Sequence, residues 1–361
     1  MPLYEKRLQE DLARLKEQIG AMGEMTEQAL TNAVHALLTG NRALANDTVL
    51  ADHPINRKMR EIDQLCHRFI ARHLPSAGHL RMISSIIRIN IELERIGDYA
   101  VTISRESLQF EKPPSGIMAQ EMESIADEAK RILHQALTAF YEGSSDMAKA
   151  TSQLPAHLQT TLGGIYAALI NGEFTSDIKE MFAAFAALTQ LKRVADQAKN
   201  ICEETIFAIS GETKATKVFN ILFVDQENSR LSQMAEAIAR KCYPNSGRYS
   251  SGGQNPAAQV DQALVRFLDQ HGLDLSRAQP RPVKFTPQEL AEFHVIVSLE
   301  GPIESYFETI PFHTTALEWK LGTPLSDLPE GQSTDRYEEV YRELSYQIRH
   351  LIELLRGEGS D

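Results

Sequence analysis

The first 210 residues are dominated by apolar positions that recur every three or four residues, the spacing of an amphipathic helix. Breaks in this pattern are few and short: DHP at 52–54, LPSAG at 74–78, KPPSG at 112–116 and NGEF at 171–174. Long helices joined by short connections pack as antiparallel bundles, so this half of the chain is predicted to be all-α. The clearest apolar stripe consists of Leu12, Leu15, Ile19, Met22, Met25, Leu30, Val34 and Leu37.

The pattern changes at about residue 217, where short apolar runs begin to alternate with helices. Strands are predicted at KVFNILFV (217–224), FHVIVSL (293–299) and TTALEWKL (314–321). Helices are predicted at SQMAEAIARK, at about 256–272 and at the closing RYEEVYRELSYQIRHLIELL. This alternation predicts an α/β domain with a small parallel sheet of four strands. The boundary between the two halves is placed at SGETKAT, residues 210–216.

Composition and charge exclude several classes of partner. The chain has 361 residues, is 42% hydrophobic and 24% charged, and carries a net charge of -12, which disfavours nucleic acid and anionic membranes. It has neither an apolar leader nor a run long enough to cross a bilayer, so no membrane insertion is expected. The three cysteines, Cys66, Cys202 and Cys242, have no metal-ligand spacing and indicate buried thiols in a reducing compartment. A cytoplasmic location is expected.

An internal repeat is present in the helical half. The segment IELERIGDYAVTI at 91–103 aligns without gaps on TQLKRVADQAKNI at 189–201, so that Arg95 matches Arg193 and Asp98 matches Asp196. A second copy at this distance predicts two related helical units of about a hundred residues each.

Two carboxylates of the first copy, Glu94 and Asp98, are one helical turn apart and therefore share a face with apolar residues. Like charges in an apolar stripe repel each other and lose solvation unless a cation or donors meet them. Two interpretations remain open at this point. Arg88, Arg95 or another helix forms salt bridges with them, or the pair ligates a hard cation such as Mg, Mn or iron.

Residues 59–103, MREIDQLCHRFIARHLPSAGHLRMISSIIRINIELERIGDYAVTI, resemble the PhoU family of phosphate-uptake regulators, and NICEETIFAISG at 200–211 is similar to that family's carboxyl end. The resemblance covers about residues 4–211. It implies two three-helix bundles, over 1–111 and 117–211, each bearing the pattern seen here at 94–98. It also implies a cytoplasmic, often dimeric regulator that represses the phosphate-starvation response. Its implied partners are the ATPase of the phosphate ABC transporter and a sensor histidine kinase.

The resemblance also implies a metal site on the bundle surface, since acidic motifs of the family bind metal ions there. In the first repeat Asp52, Glu61, Glu94 and Asp98 fit the acidic positions, which predicts a divalent or iron-type ion there and no other cofactor. Asp52 has an alternative role, because Pro54 is expected to break or kink the helix and would leave Asp52 as its N-cap.

The second repeat departs from the acidic pattern. Lys192 replaces the motif glutamate and leaves Asp196 alone, and the middle helix, LPAHLQTTLGGIYAAL, has no acidic residue. A lysine at a cation site supplies its own positive charge and opposes metal binding. At most one repeat is therefore expected to bind metal.

The segment ILFVDQENSRLSQMAEAIARK at 221–241 is a strand, a tight polar turn and a helix, the arrangement that presents an anion loop in α/β domains. Residues 217–356 resemble the low-molecular-weight protein tyrosine phosphatase and arsenate reductase family, whose loop reads Cys-x-x-Asn-x-x-Arg-Ser. In this chain the loop comprises Asp225, Asn228, Ser229, Arg230, Leu231 and Ser232.

The resemblance implies that Asp225 stands in the place of the nucleophilic cysteine and Leu231 in the place of the phosphate-clamping arginine. The family's later Asp-Pro, which supplies the general acid, falls at Thr323-Pro324. The phosphoryl transfer of this family uses a thiolate, an arginine fork and an acid together, so the 217–361 domain is predicted to be catalytically inactive.

Three catalytic alternatives remain open beside that prediction. Arg230 could turn inward and clamp an anion, Asp225 could accept a phosphoryl group, and Asp327 could act as a displaced acid. The favoured interpretation is a non-catalytic regulator of phosphate uptake whose second half binds a protein or a small ligand. The competing classes are a phosphatase or arsenate-reductase-type enzyme with a helical regulatory half, and a structural metal-binding helical protein.

Overall fold

The computed structural model describes residues 3–170, 177–213, 217–311, 314–321 and 333–357. The chain divides into two compact units, Met1–Lys214 and Ala215–Asp361. Each unit has its own apolar core.

The first unit is all-helical within its described residues, as the periodicity predicts. Helix α3 packs on both α1 and α2, whereas α7 packs on α4, α5 and α6, so each forms one bundle with the helices that precede it. The most extensive contact in the unit joins α3 to α7, the two helices that carry the repeated sequence. The helices are α1 (Leu3–Thr39), α2 (Arg42–His73), α3 (Ala77–Ser107), α4 (Gly116–Glu142), α5 (Ser145–Thr151), α6 (Pro155–Ile170) and α7 (Ile178–Ser210).

Helix α2 corrects the expectation that Asp52 is an N-cap. The helix begins after Asn41, whose side chain caps it by accepting from the Leu44 amide, and it continues through Pro54 without ending. A proline inside a helix costs about 3 kcal/mol or more. The buried side chains of Ile55 and Ile62 follow it on the same helix, and burial of such residues offsets a loss of this size. Asp52 is therefore a mid-helix residue.

The second unit contains the predicted parallel sheet of four strands, in the order β2-β1-β3-β4. One strand, β2, lies in a segment that the sequence pattern did not identify. The strands are β1 (Phe219–Asp225), β2 (Gly247–Gly253), β3 (Val295–Ser298) and β4 (Thr315–Glu318). The helices are α8 (Leu231–Cys242), α9 (Gln262–Gln270), α10 (Pro287–Leu290) and α11 (Ser333–Arg356), with a 3₁₀ turn at Ile303–Ser305.

Alternation along β1 assigns its side chains to the two faces of the sheet. Ile221 and Phe223 lie in the core formed with α8, α9 and α11, while Leu222 and Val224 lie in a smaller core with Ile303 and its neighbours. The next residue, Asp225, falls on the α8 side at the carboxyl end of the central strand pair. In open parallel sheets this edge is where ligands bind. None of the described helices is long and apolar enough to span a bilayer.

Candidate functional site: the loop after the first strand

The loop of residues 226–230 connects β1 to α8, and the chain that follows β2 holds it in place. Amides of that chain donate to loop carbonyls: Asn255 to Gln226 (2.8 Å), Ala257 to Glu227 (2.9 Å) and Asp261 to Ser229 (3.1 Å). These loop carbonyls are therefore satisfied by hydrogen bonds from one neighbouring segment, and the loop backbone is fixed.

Asp225 is at the centre of this loop, with only 3% of its surface exposed. Its Oδ1 accepts a hydrogen bond from the Asn228 amide, and its Oδ2 accepts one from the Ser232 amide at 2.9 Å. Amides of a loop and of a helix N-terminus are the groups that bind phosphate in anion loops. Here two of them bind a carboxylate that belongs to the chain.

The environment of Asp225 disfavours its charge. Burial raises the pKa of this carboxyl from 3.8 to about 6, although the amides of Ser232 and Asn228 act in the opposite direction, and the nearby charge of Glu300 raises it further. At neutral pH the group is mostly ionised and occupies the loop with negative charge.

Asn228 holds the loop's shape from within. Its φ of 49° is in the left-handed region, where asparagine is among the better-tolerated residues. Its Nδ2 donates to Ser232 Oγ at 2.8 Å, and its Oδ1 accepts from Gln233 Nε2 at 3.0 Å and from the Arg281 amide at 2.8 Å. Gly253, at the end of β2, allows this close approach, because a Cβ there would lie 2.6 Å from the Asn228 nitrogen.

Leu231, at the clamp position, and its neighbour Arg230 are both engaged within the unit and present no guanidinium to the loop. The Nε of Arg230 donates to Asp261 Oδ2 at 2.9 Å, and Asp261 also caps α9 by accepting from the Ala263 and Leu264 amides. Leu231 is 4% exposed and lies in the core between α8 and the sheet. Ser229 donates to Glu227 Oε2 at 3.1 Å, which adds a second carboxylate to the loop.

Residues distant in sequence complete the site and were not identified from the sequence. Glu300, just after β3, accepts from the Gln226 amide at 3.2 Å, and the Tyr306 hydroxyl donates to the Glu300 carbonyl. Glu300 had one usable signal in the sequence, because it directly follows FHVIVSL (293–299), a segment that is predicted as a strand. The positions proposed for a general acid, Thr323-Pro324 and Asp327, lie outside the described residues.

Three of the predicted metal residues in the helical unit, Asp52, Glu94 and Asp98, form an electrostatic cluster. Burial raises the pKa of Glu94 and of Asp98, and the charge of Asp52 raises both further. Asp52 accepts from Asn56 through Oδ2 at 2.7 Å, and its buried Oδ1 has no hydrogen-bond partner among the described residues. An oxygen without a donor suits a cation, yet in the described part of the chain no three His, Cys, Asp or Glu side chains are placed to hold one metal together.

The cations offered as alternative partners are engaged elsewhere. Arg95 lies 3.4 Å from Glu92, and Arg88 lies 2.9 Å from Glu204, so neither ion pair involves the two carboxylates of the repeat motif. Glu61 lies 3.8 Å from Lys58 and is largely exposed.

In the second repeat, the carboxylate that remains is already neutralised. Asp196 Oδ2 lies 2.7 Å from Lys192 Nζ, so the lysine that replaces the motif glutamate pairs with it. A site with this pair offers less negative charge to a metal than the first repeat does.

Comparisons with known proteins support both resemblances. The model of the PhoU domain matches residues 19–107, and that of the low molecular weight phosphotyrosine protein phosphatase matches residues 220–360. A phosphate-specific transport system accessory protein PhoU homolog of Pseudomonas putida is 32% identical over 208 residues, which is 56% of this chain and 80% of the relative. The accessory protein PhoU of Escherichia coli K12 is 28% identical over 204 residues, covering 56% and 85%.

A solved structure gives the same result for the helical half. The crystal structure of PhoU from Pseudomonas aeruginosa is similar with a TM-score of 0.54 and 30% identity, over 56% of this chain and 99% of that one. The prediction of a PhoU-like helical half followed by a phosphatase-type α/β domain is thus confirmed.

Proposed function

The chain belongs to the PhoU family, and from this premise we propose that it is a non-catalytic regulator of phosphate uptake and phosphate-starvation signalling. It acts by contacts with a phosphate ABC transporter and a sensor histidine kinase. Its relatives support a role in phosphate uptake, since they are accessory proteins of phosphate-specific transport systems. The proposal includes a cytoplasmic homodimer that binds no nucleic acid; the net charge of -12 supports only the last of these points.

One observation carries the non-catalytic assignment: the carboxylate of Asp225 accepts the loop amides of Asn228 and Ser232. A phosphate dianion placed there would meet an ionised carboxylate in a desolvated loop, which is strongly unfavourable. Without an arginine at Leu231, no guanidinium offsets this repulsion from that position. The loop therefore keeps an anion-binding shape while its own side chain takes the place of the anion.

The aspartyl-phosphate alternative fits this geometry poorly. Both carboxylate oxygens of Asp225 are hydrogen-bonded to backbone amides, and the side chain is almost fully buried. A nucleophile needs one oxygen directed at the substrate. Attack on phosphorus would require the carboxylate to leave these bonds first.

We further propose that the first repeat binds one metal ion. Glu94, Asp98 and Asp52 would hold it, and Glu61 is a further candidate ligand. The cluster's mutual repulsion and the unpartnered Asp52 Oδ1 support a cation there. The ion would neutralise the cluster. Because no three of these side chains converge among the described residues, its binding requires side-chain rearrangement.

Regulation is tested by deleting the gene in its host and measuring phosphate-starvation gene expression in phosphate-rich medium. We expect expression to rise in the deletion strain and to fall again when the full chain is restored. A strain without another PhoU-like protein in which expression stays unchanged would contradict the proposal. Pull-down of the full chain should recover the transporter ATPase or the kinase.

Catalysis is tested separately with the purified chain and an aryl phosphate. We expect no turnover by the wild-type chain or by Asp225→Cys, because Leu231 leaves the transferred group's charge without a clamp. The combination of Asp225→Cys with Leu231→Arg should recover traces. Robust wild-type turnover that Asp225→Asn abolishes would favour the enzyme instead.

A further inference from the structure

A cleft of about 490 Å³ runs along one face of α8 in the second unit and is separate from the carboxylate of Asp225. One wall is α8 from Gln233 to Lys241, and the other is the chain from Gly272 to Arg281. The nine residues from Gln233 to Lys241 span about 12 Å of helix, so the cleft is elongated along α8.

Hydrogen bonds hold the two walls together at both ends. At one end, Gln233 Nε2 donates to the Gln279 carbonyl at 3.3 Å and to Asn228 Oδ1 at 3.0 Å. At the other end, Lys241 Nζ donates to the carbonyls of His271 (2.9 Å) and Gly272 (3.1 Å). These bonds fix the wall spacing before any ligand arrives, which lowers the ordering cost of binding.

The charges of the cleft are unusual for so acidic a chain. Four basic residues and two acidic ones line it, and the acidic ones are already engaged. Glu236 is ion-paired with Arg240, and Asp274 accepts from the Ser276 amide at 2.7 Å. The cleft is therefore net positive, whereas the whole chain has a net charge of -12.

Two of the four cations are available for a ligand. Arg277 and Arg281 are exposed, and within the described residues neither guanidinium makes a hydrogen bond or an ion pair; Arg277 acts on Asp274 only through its charge. Within the described residues, Arg281 is hydrogen-bonded to the loop through its backbone amide and not through its guanidinium. The planar fork of an arginine binds phosphate oxygens bidentately, and two such forks on one wall match a group with several anionic oxygens.

We propose that this cleft binds a small phosphorylated molecule through Arg277 and Arg281. Its volume lies in the range of small-molecule sites, about 300–1,000 Å³. A protein partner would need a contact of about 800 Å² on each side, for which the cleft alone offers little surface. The inference goes beyond the proposed function and does not depend on the regulation of phosphate uptake.

The test is isothermal titration calorimetry of the full chain at low salt with inorganic phosphate, pyrophosphate and ADP. We expect pyrophosphate or ADP to bind, with at least a tenfold loss of affinity in the double variant Arg277→Ala with Arg281→Ala. The lysine double variant, Arg277→Lys with Arg281→Lys, keeps the charge but lacks the fork and should fall between the two. Comparison of the three probes distinguishes a nucleotide from a free phosphate or pyrophosphate.

Arg266→Ala with Arg349→Ala is the charge-matched control, since both arginines are exposed on helices of the same unit and neither lines the cleft. Its affinity should equal that of the wild type. Unfolding followed by the fluorescence of Trp319 checks that each variant is folded. The proposal is overturned if no probe binds, if the control loses as much affinity as the alanine variant, or if an acidic peptide binds and the phosphates do not.

Discussion

Asp225→Asn tests whether a buried carboxylate controls the stability of the second unit. The substitution keeps the shape of the side chain and removes its charge. The amide oxygen can accept from only one of the Asn228 and Ser232 amides, so one hydrogen bond is lost at every pH, at a cost of about 1–3 kcal/mol. The charge effect, by contrast, depends on pH and can be separated from this constant loss.

The size of that pH-dependent effect follows from the pKa of Asp225, which burial raises from 3.8 to about 6. A difference of this size between the folded and unfolded chain corresponds to about 3 kcal/mol of unfolding free energy. Because the folded-state pKa is the higher one, this contribution is fully present below about pH 4 and is lost as pH rises through about 6. The variant lacks it, so the stability of the wild type relative to the variant should fall by about 2 kcal/mol between pH 4 and pH 6, and by about 3 kcal/mol over the whole titration.

Trp319 provides a local measurement, because it is the single tryptophan of the chain and lies against Phe223, with ring centroids 6.0 Å apart. Denaturant unfolding followed by its fluorescence from pH 4 to pH 8 reports on the second unit rather than on the helical one. Asp269→Asn is the matched control, since it removes the same charge from an exposed position on α9. Its curve should run parallel to that of the wild type.

Parallel curves for the wild type and Asp225→Asn would refute this reasoning. They would mean that the carboxylate titrates alike in the folded and unfolded chain, and hence that the loop does not bury it. A wild type that gains stability relative to the variant as pH rises would reverse the sign and indicate a net favourable charge at Asp225.

Two further predictions concern a backbone contact and the metal. Gly253→Ala should destabilise the second unit by about 1–3 kcal/mol, since the new Cβ would lie 2.6 Å from a loop nitrogen. Denaturant unfolding measures this loss. Gly163 is a helical glycine whose added Cβ would meet nothing within 4 Å, so Gly163→Ala should be neutral or stabilising. Purified wild-type chain should carry a transition metal by elemental analysis, and Glu94→Ala with Asp98→Ala should lose it, whereas Asp196→Ala, which removes the lysine-paired carboxylate, should retain it. Equal metal content in all three proteins would contradict the site.

The sequence predicts those parts of the fold in which burial requires apolar residues at a regular spacing. The apolar stripe on α1 is predicted because one face of that helix is buried, and the apolar run of β1 is predicted because both faces of that strand are buried. Strand β2 has no such signal: its sequence, GRYSSGG, is composed largely of small residues. Close packing explains this composition, since a Cβ on Gly252 would lie 2.8 Å from Val283 and one on Gly253 would meet the loop. Space, rather than hydrophobicity, selects these residues.

The candidate site was only half predictable for a similar reason. The loop and its unusual aspartate are contiguous, so the strand–turn–helix pattern locates them together. Glu300, Tyr306 and Arg281 come from segments that follow other strands, and their approach depends on a strand order that local patterns do not encode. The misplaced N-cap at Asp52 has another cause, because a local rule about proline was overridden by the packing of the helix around it.

If the loop binds no phosphate, as proposed, it still has a structural reason to be retained. Its carbonyls bind the chain that leads to α9, and Asn228 holds the Arg281 wall of the basic cleft, so its collapse would disturb both. The shape nevertheless directs two amides inward, and buried donors without an acceptor cost about 1–3 kcal/mol each. A carboxylate on the chain satisfies both at every ligand concentration. The desolvation that raises the pKa of Asp225 is the corresponding cost, so the proposal predicts a loop whose stability depends on pH and not on phosphate concentration.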